Sequence, residues 1–435
     1  MHHFCLTAFN AYPVIDPAAG GAIGGVETRA WMFARALARL PGTRVSFVVR
    51  HSSRPAARAI EGVELVPVVD PLFRMREAVS TMVARSGRFP WIRFNGFSPS
   101  LLWQLPIVAA DFLRRRLTQG AVDYRKPMEP IVSVDADAFL TFGVVNMTSA
   151  AVIASAKARG RPAVLFLGSD SDLDERFRPD SDYVSPYGDP APLCAWIIDQ
   201  ADMILAQTPD QQKTLKERFG RDSLVIANPI DHEEWDRLAA DPLPDAGTGG
   251  LSRYVLWIGR AEGVHKRPQL MVELARRCPE VSFLMVLNPR EPVLEARVRS
   301  EAPANLRIVS QVPFPRMPAL FRKAAALVST SALEGFPNVF LQAALSRVPI
   351  ASLVVAPGFL EESGAGRAFE EDMEGLAAFV RMLWAEAPDA DAEARERARR
   401  FVIERNGAEA QVGLLRDALV EAIAVQESRV RANAP

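Results

Sequence analysis

The chain has 435 residues, 49% hydrophobic and 24% charged, so it can hold two or three domains, each with its own core. Its net charge is −1 and its isoelectric point lies near 6.6, without the basic excess expected of a nucleic-acid-binding protein. The three cysteines, Cys5, Cys194 and Cys278, lie far apart and form no CxxC pair, which argues for a reducing compartment and against a structural zinc site.

The N-terminus, MHHFCLTAFN, lacks the basic and apolar regions of a signal peptide, and no run is long enough to span a bilayer, so a cytoplasmic location is expected. His2 and His3 read as an exposed terminus rather than a metal pair. HFCLTAF (3–9) and VSFVVR (45–50) read as strands flanking the helix VETRAWMFARALARL (26–40). The intervening loop AAGGAIGGVE carries Gly20, Gly21, Gly24 and Gly25. Its glycines let the backbone come close to a ligand and the helix start at Val26 adds a dipole; a plain flexible loop is the alternative.

Between Arg74 and Lys126 ten Arg or Lys face three Asp or Glu, a local excess of +7, interleaved with Trp91, Phe94, Phe97, Trp103 and Phe112 and followed by Arg114, Arg115 and Arg116. Such a stretch can lie peripherally on an anionic membrane surface. Alternatively it is a helical insertion that packs on its own domain with solvated arginines. DAFLTFG (137–143), AVLFLG (163–168), DMILAQT (202–208) and SLVIAN (223–228) supply later strands, and the Pro/Gly/Asp-rich segment 238–252 is the best domain boundary.

The C-terminal half alternates clearly: YVLWIGR (254–260), helix 267–278, VSFLMVL (281–287), helix 291–300, then LRIVSQV, PALFRKA, AALVSTS, PNVFLQAALSR and PIASLVV. Short apolar strands separated by helices of about ten residues imply a parallel, doubly wound sheet whose ligands sit beyond the strands' carboxyl ends. Residues 334–342, EGFPNVFLQ, place an acid, a turn at Gly335 and a helix start with Pro337 at its first position directly after AALVSTS. Free amides at that start would face a ligand phosphate. Two amphipathic helices, ARERARRFVIERN and AEAQVGLLRDALVEAIAV, precede a frayed tail.

The string STSALEGFPNVFLQAALSRVPIASL resembles the glutamate-x7-glutamate signature of retaining, nucleotide-sugar-dependent glycosyltransferases of family 4. That resemblance implies the GT-B fold, two Rossmann-like α/β domains facing across a cleft. It implies domains at 1–240 (acceptor side) and 250–405 (nucleotide sugar), with a last helix, 406–435, crossing back to the first. Glu334 matches the family's sugar-binding glutamate. The ribose-binding position is Gln342, a departure that keeps hydrogen-bonding capacity without the charge. Gly259, Arg260 and Lys266, in WIGR and HKRP, resemble the pair of cations that grips the donor diphosphate, with Gly335, Phe336, Pro337 and Asn338 completing that side. Without the motif downstream, Arg260 and Lys266 would read as solvated surface, and Arg267 reads as a surface residue at the helix start.

Gly24 and Gly25 resemble the glycine-rich loop of the opposite domain, with Glu27 structural. Family members often carry a histidine-aspartate pair after AVLFL. Here no histidine lies between His51 and His232, and Asp170 or Ser169 takes that place; a plain helix cap is the alternative. NPID (228–231) resembles the family's NGVD turn leading between domains.

The resemblance implies a retaining transferase that moves a hexose-type sugar from a UDP or GDP sugar to a glycan or lipid-linked acceptor, with no added cofactor or metal. A non-catalytic nucleotide-sugar-binding protein is the second reading, and a dinucleotide oxidoreductase, which would need a GxGxxG fingerprint, is the third.

Overall fold

The computed structural model describes residues 1–16, 24–53, 55, 57–85, 92–94, 98–119, 123–240, 248, 250–387 and 390–432. The chain divides into two compact units. One comprises residues 1–76, 106–229 and 408–435, and the other residues 77–105 and 230–407. The 238–252 segment thus falls after the division: 238–240 close the His232–Ala240 helix, and 241–247 and 249 lie outside the described residues.

Before residue 230 the described strands are β1 (His2–Thr7), β2 (Thr43–His51), β3 (Ala59–Ile60), β4 (Val63–Val69), β5 (Val83–Arg85), β6 (Ile92–Phe94), β7 (Ala138–Phe142), β8 (Ala163–Phe166), β9 (Met203–Ala206) and β10 (Leu224–Val225). Eight form one sheet in the order β10-β9-β8-β7-β1-β2-β4-β3, parallel except where β3 meets β4. β5 and β6 make a separate antiparallel hairpin.

The central strands read as continuous apolar runs because both of their faces are covered. Phe4 and Leu6 of β1 enter a core with Trp31 and Phe33 of the Gly25–Arg39 helix and Leu415 and Leu419 of the Ala408–Ala432 helix. Cys5, between them, points into the opposite core with Ile153 and Ile197. This is the period-two alternation of a strand.

Several sequence expectations shift here. His2 and His3 belong to β1 rather than to an exposed terminus, and the His3 ring nitrogens meet the Asp135 carbonyl at 2.6 Å and Ser46 Oγ at 2.8 Å. The helix expected from Val26 starts one residue earlier, at Gly25. The 223–228 strand is only two residues long, because it pairs solely with β9 at the sheet edge. The stretch 74–126 is not one helical insertion but a helix (Phe73–Met82), the β5–β6 hairpin and a second helix (Leu101–Gln119). Trp91 and Phe97 lie outside the described residues.

The second unit carries β11 (Tyr254–Arg260), β12 (Phe283–Asn288), β13 (Leu306–Val309), β14 (Ala324–Ser329), β15 (Ile350–Ser352) and β16 (Gly366–Ala368). They form a fully parallel sheet in the order β13-β12-β11-β14-β15-β16. Val255 and Trp257 face one core, Tyr254 and Leu256 the other, so β11 is buried on both sides. β11 lies beside β14 with Trp257 opposite Val328, which brings the chain beyond Arg260 next to the chain beyond Ser329.

Candidate functional site

In the second unit, β11 ends at Arg260 and the chain loops to Arg267, which caps the Pro268–Arg277 helix with a left-handed φ of 50°. A non-glycine residue holds that conformation only when its surroundings fix it. The Arg267 Nε donates to the Thr330 carbonyl at 2.8 Å, and its Nη1 pairs with Glu371 at 2.7 Å. Arg267 is therefore a tie between two loops rather than the surface residue expected.

The neighbouring turn is tied in the same way. Thr330 Oγ1 donates to the Lys266 carbonyl at 2.7 Å and accepts from the buried Trp257 indole Nε1 at 2.9 Å, while the Ala332 amide donates to the His265 carbonyl at 2.8 Å. Gly259 makes room for that indole: a Cβ there would stand 2.6 Å from Trp257 Cη2. The glycine in WIGR therefore serves packing beneath the loop.

This scaffold aims the Lys266 ammonium at Glu334, with which it forms an ion pair; the two side chains are 20% and 18% exposed. Arg260, half-buried at the end of β11, has no side-chain hydrogen bond or ion pair among the described residues. The chain bends at Gly335 and Phe336, and Phe336 packs edge-on against Phe359 at 5.4 Å between ring centres. Pro337 is the cap of the Asn338–Leu345 helix rather than its first residue (φ −69°, ψ 111°), and no side chain caps the helix. The helix start carries the partial positive charge of its dipole. One turn in, Gln342 Oε1 is buried without a hydrogen-bond partner, as are Ser352 Oγ at the end of β15 and Arg267 Nη2. A native fold rarely leaves such atoms unmatched unless a ligand or solvent matches them.

In the first unit, Gly24 caps the Gly25–Arg39 helix in extended conformation, and Glu27 folds back over it so closely that a Cβ at Gly24 would collide with its carboxylate. Gly20 and Gly21 lie outside the described residues. In the loop after β8, where Asp170 or Ser169 is the expected site residue, Asp172 organises the strand ends. Asp172, buried, accepts from the Gly168 amide at 2.5 Å and the Val145 amide at 2.9 Å, joining the loops after β7 and β8. Burial pushes its carboxyl above the ordinary range, against the lowering from those amides.

Ser169 and Asp172 also form a capping box. Asp170 is exposed, and its Oδ1 accepts from Gln211 Nε2 at 2.9 Å. Beneath them Arg29, fully buried, lies over the Phe166 ring at 4.3 Å and donates to the Leu167 carbonyl at 2.7 Å and Asn228 Oδ1 at 3.2 Å. Burial draws its guanidinium down to about 9. Asn228 of NPID is thus a partner of Arg29, and Asp231 caps the next helix through the Glu234 amide at 2.9 Å. A buried arginine in an amphipathic helix carries no sequence signal that separates it from a surface one.

Residues 252–386 match the family model of glycosyl transferases group 1. No curated protein matches the sequence. Among solved structures, sucrose-phosphate synthase from Thermosynechococcus elongatus aligns with a TM-score of 0.66 at 15% identity, over 98% of this chain and 100% of that one. Trehalose-6-phosphate synthase, OtsA, aligns with a TM-score of 0.64 at 10% identity, over 96% of this chain and 98% of that one. HepE from Anabaena, in complex with UDP and glucose, aligns with a TM-score of 0.59 at 14% identity, over 97% of this chain and 100% of that one. Together the family match and these neighbours support a glycosyltransferase with the GT-B fold.

Proposed function

We propose that this protein is a retaining, metal-independent glycosyltransferase of the family 4 type, which moves a hexose-type sugar from a UDP or GDP sugar to a hydroxyl of a glycan or lipid-linked acceptor. Surface polysaccharide or glycoconjugate synthesis in the cytoplasm is the setting that the sequence resemblance suggests. The observation that carries the reading is the convergence of Arg260, the Lys266–Glu334 pair, the uncapped Asn338–Leu345 helix and the unmatched Gln342 Oε1 on the carboxyl edge of one parallel sheet. In this reading Arg260 forks two oxygens of the donor diphosphate, and Lys266 and the helix amides take up the charge that develops as the glycosidic bond breaks. Glu334 holds the sugar and Gln342 the ribose. The departing phosphate oxygen accepts the acceptor proton on the same face, and the protein supplies orientation and charge stabilisation. By the sequence resemblance, Asp170 or Ser169 takes the family position beside the reacting sugar.

The non-catalytic reading rests on Gln342, an amide where the family signature has an acid, and on the loop after β8, which has no histidine. A thermal-shift screen of UDP, GDP and ADP sugars tests the donor assignment, since a ligand specific for the native state raises its melting temperature. UDP-glucose is the first candidate, given the UDP and glucose bound by the HepE neighbour. No stabilisation by any nucleotide sugar would sink both readings, and stabilisation without turnover on a broad acceptor panel would favour the second.

A further inference from the structure

A surface helix normally turns its apolar stripe inward and its charges to water. The Leu101–Gln119 helix buries Leu101 and part of Leu105 and Val108, yet leaves a second apolar stripe in water. At about 100° per residue, Leu102, Trp103, Ile107, Leu113 and Leu117 share one face within an arc of roughly 140°, and all five are 41% to 78% exposed. Pro106, Ala110 and Arg114 lie between them on that arc and Ala109 just beyond its edge, all exposed. At the edge of that face, the buried Asp111 carboxylate receives Arg76 of the preceding helix at 2.9 Å and Arg114 and Arg115 of its own helix at 2.8 Å, and Arg76 also pairs with Asp70. Ion pairs thus hold the helix to the protein while its apolar side faces out, an arrangement that is costly in water over this much contiguous surface.

The occupant of that face is indicated by charge and length. The surrounding sequence, Arg74 to Lys126, carries an excess of +7 in a chain of net −1. No described helix is long and apolar enough to cross a membrane, but one of 19 residues, about 28 Å long, suits the plane of an interface. We propose that this helix lies in the surface of an anionic lipid bilayer, with Leu102, Leu113 and Leu117 among the acyl chains, Trp103 at the headgroup boundary and the nearby cations against the lipid phosphates. The inference is independent of the donor chemistry.

Flotation of the full chain on vesicles tests it, comparing phosphatidylcholine alone with a phosphatidylcholine–phosphatidylglycerol mixture. The protein is expected to float with the mixed vesicles, less so at high salt, and Ile107→Asp combined with Leu113→Asp is expected to weaken that association by more than about tenfold with the melting temperature unchanged. Should that double variant melt early, Leu102→Ser combined with Leu117→Ser gives the same comparison at the two most exposed positions of the face. Failure of the full chain to float, equal flotation on phosphatidylcholine alone, or full retention by the substituted protein would overturn the proposal. So would a lipid-free dimer that the substitutions dissociate, which would make the face a contact between two copies of this chain.

Discussion

Lys266 and Glu334, 68 residues apart in sequence, meet as an ion pair at the carboxyl edge of the second sheet. Each residue is what the other would have to release on binding a donor, since a diphosphate competes for the ammonium and a sugar hydroxyl for the carboxylate. On the proposed function, Lys266→Ala or Arg260→Ala weakens donor binding or lowers kcat/KM by about 2 to 4 kcal/mol, the order expected when a cation facing phosphate is removed. Calorimetry with a nucleotide sugar checks binding and steady-state kinetics checks turnover. Unchanged values in folded protein would remove both residues from the site.

Glu334→Gln separates the sugar role from the nucleotide role. The neutral amide frees the Lys266 ammonium, so affinity for the free nucleoside diphosphate stays within about 1 kcal/mol of the parent or improves. Sugar transfer instead slows by roughly 30-fold or more, equivalent to about 2 kcal/mol in the barrier. Equal loss of nucleotide binding and transfer would contradict the assignment.

At Gln342 the buried amide oxygen without a partner is the ribose acceptor of the proposed reading. Gln342→Glu changes donor affinity by only about 1 kcal/mol, and both forms transfer sugar. If both forms bind donor and neither transfers or hydrolyses it, the non-catalytic reading stands.

The layer under the loop is tested by stability. Thr330→Val removes the hydroxyl that joins the Trp257 indole to the Lys266 carbonyl, leaving both buried groups unmatched at a cost of about 1 to 3 kcal/mol. Gly259→Ala places a methyl group against the same indole, with a similar cost of about 1 to 3 kcal/mol from overpacking. Denaturant unfolding measures both, and a neutral result at either position would show that the loop does not depend on this stack.

Asp111 gives a pH-dependent contribution of known sign. Hydrogen bonds from Arg114 first, then its interactions with Arg115 and Arg76, hold its carboxyl below the ordinary value of 3.8. Its contribution to stability is fully present above that value and disappears as the pH falls through the lower folded value. Asp111→Asn is therefore expected to destabilise the protein by about 1 to 3 kcal/mol at neutral pH, with the difference from the parent closing under strong acid. A pH series of thermal melts follows it, and a difference that persists undiminished in acid would exclude the charge as its cause.

The sequence by itself determined the two parallel sheets, because continuous apolar strands alternating with amphipathic helices are a local pattern that survives any tertiary context. It also determined the motif positions, since Arg260 at a strand end and Pro337–Asn338 at a helix start follow from neighbours in the chain. Only the tertiary structure decided which distant residues meet. Placing β11 beside β14 sets Lys266 against Glu334 and Trp257 under Thr330, and it makes Arg267 a half-buried tie between loops. The same holds for Asp172, which joins two loops while Asp170 stays exposed, and for the Leu101–Gln119 helix, whose arginines read as solvated in the packed alternative but pair with Asp70 and Asp111. Hydrophobic period reveals that a side of a helix is apolar, but which side turns inward depends on the partners that strand order and chain crossings bring to it.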